Sequence, residues 1–237
     1  MASKVHRLYS ITSSVPAKKL IQDYSETMRV RPIETDLVRG YIHEPEAPTG
    51  AGIVLTHGAG ANCGSKLLTT VAATFASAGF VALRCDLAFR KQRPSGPPSP
   101  HTAARDRQSL RDALRELGQL APGPRFLGGH SYGGRQASML AAEDPKVAAG
   151  LLLLSYPLHP PKKPEQARTA QFPDWKTPAV FVHGTKDPFG TIAELEQAVA
   201  IIPAHTYLIA VERAGHDLGG GRFDLQSVIS ELLKLGG

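Results

Sequence analysis

Two cysteines in 237 residues are too few for a disulfide framework, so a hydrophobic core has to hold this chain together. The first residues lack the apolar stretch of a secretory leader. Cys63 and Cys85 therefore read as free thiols, with a bridge left open because both are expected near neighbouring strand ends. Aromatic residues are scarce at 6%, with one tryptophan, and no basic run is interleaved with aromatics, which argues against a nucleic-acid-binding surface. Long apolar runs are missing too. The longest, VAAGLLLL at 147–154, has eight residues, where a membrane span needs about 20. Charged residues make up 20% and hydrophobic ones 42%, a balance that excludes a disordered chain. No internal repeat and no low-complexity tract appears. These absences leave a globular protein, expected in the cytoplasm as a monomer or small homo-oligomer, with neither membrane nor nucleic acid as partner.

What is present is an alternation. The net charge is +6, of which residues 1–31 carry +4, so the excess sits at the N-terminal end rather than on the body. Residues 1–27 read as an extension; disorder is one reading of it, and a natural start at Met28 is another. Residues 28–237 read as one domain. A hairpin over 32–45 is followed by near-continuous apolar runs at 51–58, 80–86, 125–131, 150–157, 178–184 and 205–212. Such runs suit parallel strands covered on both sides. Between them, apolar residues recur at helical spacing over 65–79, 102–120, 133–144, 192–202 and 223–235. The Pro-rich stretch 87–100 and the Pro- and Lys-rich stretch 158–178 read as loops, the second too short for a substantial lid. The order predicts an α/β fold, a mostly parallel sheet with helices on both faces and no large cap.

The chemical signal lies in LGGHSYGG, residues 127–134. Gly129-His130-Ser131-Tyr132-Gly133 fits G-x-S-x-G between a predicted strand and a predicted helix, the context a nucleophile elbow requires. The glycines allow a sharp turn and close approach, and the helix start turns free N–H groups towards the serine. Asp187, in HGTKDPFG, falls just beyond a strand. His216, in ERAGHDLGG, falls between the last strand and the last helix. The chain order Ser131, Asp187, His216 is the one this architecture demands. A serine hydroxyl needs a base, an imidazole titrates near neutral pH, and a carboxylate fixes its tautomer. Asp187 is the preferred orienting acid; Asp217 and Asp86 are the alternatives. Backbone N–H groups of Ala59, in THGAGAN, and of Tyr132 are the candidate oxyanion donors, with Gly60 in place of Ala59 if the turn lies one residue later.

Together THGAGAN, RCDLAFR, GGHSYGG, HGTKDPFG and AGHDL resemble a compact, lidless α/β-hydrolase. The branch is that of small dienelactone-hydrolase-like proteins, related to a subunit of an animal histone-acetyltransferase complex, and the likeness spans residues 30–235. It implies Ser131 as nucleophile, Asp187 as acid, His216 as base and Ala59 and Tyr132 as oxyanion donors. Typical dienelactone hydrolases carry cysteine at the elbow; serine here points to ordinary acyl transfer.

The expected function is a serine hydrolase cleaving small or short-chain carboxylic esters or thioesters through an acyl-enzyme, without cofactor or metal. A non-catalytic binding protein on the same fold and a small peptidase are the alternatives. Phe89, Arg90 and Phe189 are candidate walls of the substrate pocket. Arg84, Arg90, Lys91 and Arg93 read as a solvated basic loop or as attraction for an acidic ester. Arg135 reads as hydrogen bonded to a loop carbonyl. His57, His130 and His183 all sit at strand ends, but their spacing lacks any metal-ligand pairing, so bonding within the loops is expected.

Overall fold

The computed structural model describes residues 7–11 and 28–235. Nine strands form one sheet: β1 (Arg7–Ile11), β2 (Met28–Glu34), β3 (Arg39–Pro45), β4 (Gly52–Thr56), β5 (Val81–Cys85), β6 (Arg125–His130), β7 (Gly150–Leu154), β8 (Ala179–Gly184) and β9 (Thr206–Val211). Their spatial order is β1-β9-β8-β7-β6-β4-β5-β3-β2. The β2/β3 and β3/β5 pairs are antiparallel, and every other pair is parallel.

Among the described residues six helices cover the sheet: α1 (Lys66–Ser77), α2 (Ala88–Gln92), α3 (Ala103–Gly118), α4 (Tyr132–Glu143), α5 (Ile192–Val199) and α6 (Leu225–Leu235). Side chains alternate between the two faces of each strand. Leu151 and Leu153 of β7 join one core with Leu110 and Leu117 of α3, Leu140 of α4 and Leu195 of α5. Leu152 and Leu154 join the other with Leu68 and Phe75 of α1 and Val228 and Leu232 of α6. That is why four leucines run without a polar break: both faces are dry.

Two regions depart from the expectation. The extension over 1–27 has a described segment, β1, which pairs in parallel register with β9 at the sheet edge; the rest of it lies outside the described residues. The stretch 87–100 is not all loop. It opens with α2, whose Phe89 is buried. Its short length and its Arg90-Lys91 pair hide it from a pattern search. The connection 158–178 holds only two 3₁₀ turns, Pro164–Gln166 and Phe172–Asp174, with Phe172 and Trp175 buried in the core. Cys63 and Cys85 are both free and buried.

Candidate active site

The site lies at the carboxyl ends of the central parallel strands, where α/β sheets place ligands. Ser131 sits between β6 and α4 with φ 51° and ψ −115°, a strained conformation for a residue with a side chain. Two contacts hold it there. The Ser131 N–H donates to the Leu154 carbonyl at the end of β7 (2.8 Å), and the Arg135 N–H donates to the Ser131 carbonyl (2.9 Å). The turn is possible only without side chains on its flanks. A Cβ on Gly129 would lie 2.6 Å from the Gly133 carbonyl carbon and Gly134 nitrogen, and one on Gly133 would lie 2.6 Å from the His57 carbonyl oxygen.

Three distant side chains meet here. The Ser131 hydroxyl donates to His216 Nε2 at 2.8 Å. His216 Nδ1–H donates to Asp187 Oδ2, also at 2.8 Å. A carboxylate can only accept, so the ring carries its proton on Nδ1 and offers Nε2 as acceptor. The other carboxylate oxygen of Asp187 accepts the Phe189 N–H at 2.9 Å. Burial, the largest influence on Asp187, pushes its pKa up. The His216 bond, the neighbouring His183 and His216 rings and the Phe189 N–H together outweigh burial, and the carboxyl lies below its ordinary value. Asp217 accepts the Gly219 N–H instead. Asp86 is engaged elsewhere, taking Arg39 Nε on one oxygen and the Cys63 N–H on the other.

The turn after β4 abuts the elbow: a Cβ on Gly58 would lie 3.4 Å from Ser131 Cβ. The Tyr132 N–H opens α4, where helix N–H groups lack intrahelical partners. Among the described residues neither the Ala59 nor the Tyr132 N–H donates to a backbone carbonyl. The Tyr132 side chain faces away from Ser131. Its hydroxyl donates to Asp106 (2.7 Å) and its ring meets Phe89 edge-on at 5.7 Å. Burial, then the Asp106 bond, raise its pKa and keep it protonated.

Of the three expected pocket walls, Phe189 is at the site, its ring centroid 4.3 Å from that of His216. Phe89 and Arg90 require correction. Phe89 is 1% exposed and packs against His57 and Tyr132. Arg90 is 3% exposed and donates to the carbonyls of Ala59 and Ala61 (both 2.8 Å) and Gly96 (3.1 Å). It braces the turn after β4 from behind, because a buried guanidinium must spend its donors on nearby carbonyls. Arg84 is likewise buried, so the solvated-loop reading fails for both residues. It donates to His43 Nε2 and the Cys63 carbonyl.

The strand-end histidines bond within the loops. Leu87 N–H donates to His57 Nε2, which leaves Nδ1–H to donate to the Gly58 carbonyl. His183 Nε2–H donates to the Gly190 carbonyl. His130 Nε2–H donates to the carbonyl of His216 itself at 2.8 Å. Burial lowers the His130 pKa to about 4, so this ring is neutral at pH 7. No cluster of three or more His, Cys, Asp or Glu among the described residues could hold a metal ion. The sequence reading missed the His130 contact and the part played by Asp106. Asp106 was detectable: it lies four residues before Leu110, on the apolar side of α3, where a buried carboxylate needs a partner.

Residues 49–226 match the model of a family described as an alpha/beta hydrolase domain. Solved structures share the fold over nearly the whole body. TT1662 of Thermus thermophilus superposes with a TM-score of 0.68 at 22% identity, covering 88% of this chain and 98% of that one. A dienelactone hydrolase of Anabaena variabilis gives 0.66 at 21% identity, with the same 88% and 98% coverage. An α/β serine hydrolase without a lid from Xanthomonas campestris gives 0.62 at 14%, covering 88% and 93%.

Proposed function

For this chain, which belongs to the α/β-hydrolase domain family, we propose a serine hydrolase that cleaves carboxylic esters or thioesters through an acyl-enzyme. The observation that carries the reading is the unbroken line of hydrogen bonds from Ser131 Oγ through His216 to Asp187, 2.8 Å at each step. Ser131 attacks the carbonyl carbon while His216 Nε2 takes the hydroxyl proton. Asp187 stabilises the resulting imidazolium and keeps the ring oriented. The N–H groups of Ala59 and Tyr132 receive the oxyanion of the tetrahedral intermediate. His216 then gives its proton to the leaving alcohol or thiol. In the second half a water molecule loses its proton to His216 and attacks the acyl carbon; the bond to Ser131 Oγ breaks, His216 returns the proton to that oxygen, and the acid leaves.

The connection over 158–178 holds only short 3₁₀ turns, too little chain for a large cap, which supports small or short-chain acyl groups. No step calls for a cofactor. The test is turnover of p-nitrophenyl acetate and butyrate by wild type, Ser131→Ala and His216→Gln. Wild type is expected to turn over and each variant to fall by at least about 10³-fold. Hydrolysis that survives Ser131→Ala excludes the acyl-enzyme route.

A further inference from the structure

Phe189 follows Asp187 with only Pro188 between them, and both ends of its own backbone are held. Its N–H donates to Asp187 Oδ1 (2.9 Å), and its carbonyl accepts the His159 N–H (3.1 Å). Fixed in this way, the phenyl ring rests on the His216 ring, with 4.3 Å between centroids and 34° between planes. The two rings meet closer to face-on than to edge-on. By contrast His57, whose hydrogen bonds keep it neutral, takes Phe89 edge-on at 5.5 Å and 60°. Phe189 is also only partly buried, so filling a core does not account for its place.

A phenyl face is the negative side of a quadrupole. It gains little from a neutral imidazole and attracts an imidazolium out to about 6 Å from its centroid. The proposed reaction takes His216 from one form to the other. The ring is neutral while it accepts from Ser131, and cationic while the tetrahedral intermediate exists. An attraction present only in the cationic form lowers the barrier without tightening the ground state. The other titratable groups at the ring come from three places. Asp187 holds Nδ1 from the loop after β8, with His183 behind it, Nε2 3.8 Å from Asp187 Oδ2. His130, at the end of β6, lies 5.0 Å away between centroids. Asp217 adjoins His216 in its own loop. Burial, the largest influence on both His130 and His183, lowers their pKa values, so neither opposes a charge on His216 at pH 7.

We propose that Phe189 acts in catalysis through His216, its ring face stabilising the imidazolium that forms as Ser131 attacks. The effect on rate rests on the hydrolase reading; the contact between the rings does not. Wild type, Phe189→Leu, Phe189→Tyr and protein carrying trifluorophenylalanine in place of Phe189 are compared on p-nitrophenyl butyrate from about pH 5 to 9. Fluorine withdraws charge from the ring face and nearly keeps its shape. Phe189→Leu and the fluorinated ring are each expected to lower kcat by about threefold to tenfold with little change in KM. Each is expected to move the acid limb of kcat/KM to lower pH by about half a unit or more. Phe189→Tyr keeps a negative face and is expected to stay near wild type in both. Packing alone makes the opposite prediction. Leucine would admit water, which favours the charged imidazole and moves the limb to higher pH, and the fluorinated ring would behave as wild type. Either of those results, or a change confined to KM, overturns the proposal. If wild type hydrolyses no ester, the hydrolase reading has failed and the ring contact is judged by proton NMR. The Cε1–H resonance of His216, identified by its loss in His216→Gln, is expected to titrate at lower pH in Phe189→Leu than in wild type. An unmoved or raised midpoint rejects the contact.

Discussion

At the scale of single residues the site is a set of unfavourable conformations held by neighbours. Ser131 occupies φ 51°, which costs on the order of 1–3 kcal/mol for a side-chain-bearing residue. Replacing it with glycine removes that cost along with the hydroxyl. Ser131→Gly is expected to lack activity yet to be more stable than Ser131→Ala by about 1 kcal/mol, measured by urea unfolding; equal stabilities contradict a strained elbow. Arg90 works at the same scale. Arg90→Met leaves the Ala59, Ala61 and Gly96 carbonyls without their donor, and the turn that presents the Ala59 N–H loses its brace. A fall in kcat of about tenfold or more with little change in KM is expected; a change confined to KM assigns Arg90 to substrate binding instead. These supporting roles were the least legible in the sequence. The type and order of Ser131, Asp187 and His216 follow from the chemistry they would perform and can be read from motifs. Whether Arg90 faces a substrate or a carbonyl depends on a turn thirty residues away in the chain, and no local pattern encodes it.

At the scale of elements, periodicity was informative wherever an element was long and had a continuous dry face. The leucines of β7 and the stripes of α1 and α6 declare themselves because burial demands them. The five-residue helix α2 has too few turns to show a period, and β1 lies at the sheet edge, where apolar patterning is weakest. The junction between β6 and α4 makes a sharper prediction. Gly133→Ala drives a Cβ to within 2.6 Å of the His57 carbonyl oxygen, so the start of α4 must move away from β4. Destabilisation of about 3 kcal/mol or more is expected in equilibrium unfolding, together with loss of turnover; a change under about 1 kcal/mol means the elbow has room to relax. The connection that carries Asp187 makes a milder prediction. Thr191 and Glu194 form a reciprocal capping box at the start of α5, and Thr191→Ala is expected to cost about 1 kcal/mol in equilibrium unfolding.

The whole molecule gathers its chemistry by topology: three side chains separated by 56 and 29 residues converge because every contributing strand ends at the same rim. Burying polar groups has a cost, both at that rim, where His130 lies, and within β3, where His43 pairs opposite Ala82, and it is expected to appear in the pH dependence of stability. His43 and His130 are both depressed to about 4, by burial first. Arg84 adds to the depression at His43. Unfolded histidine takes up a proton near pH 6.5, so the stability from keeping these rings neutral is complete above that value. It is lost as pH falls towards 4, by up to about 3 kcal/mol for each ring. Asp187, whose carboxyl is depressed, adds a loss of the same sign further into acid. Unfolding free energy is expected to decline steadily from pH 7 to pH 4; a flat profile over that range means the rings are hydrated in the folded protein. The activity itself is tested most directly with a fluorophosphonate probe, followed by peptide mass spectrometry. The account predicts one adduct, on the peptide carrying Ser131, absent in Ser131→Ala and greatly slowed in His216→Gln. A wild-type protein that takes no label, or one labelled at another residue, contradicts it.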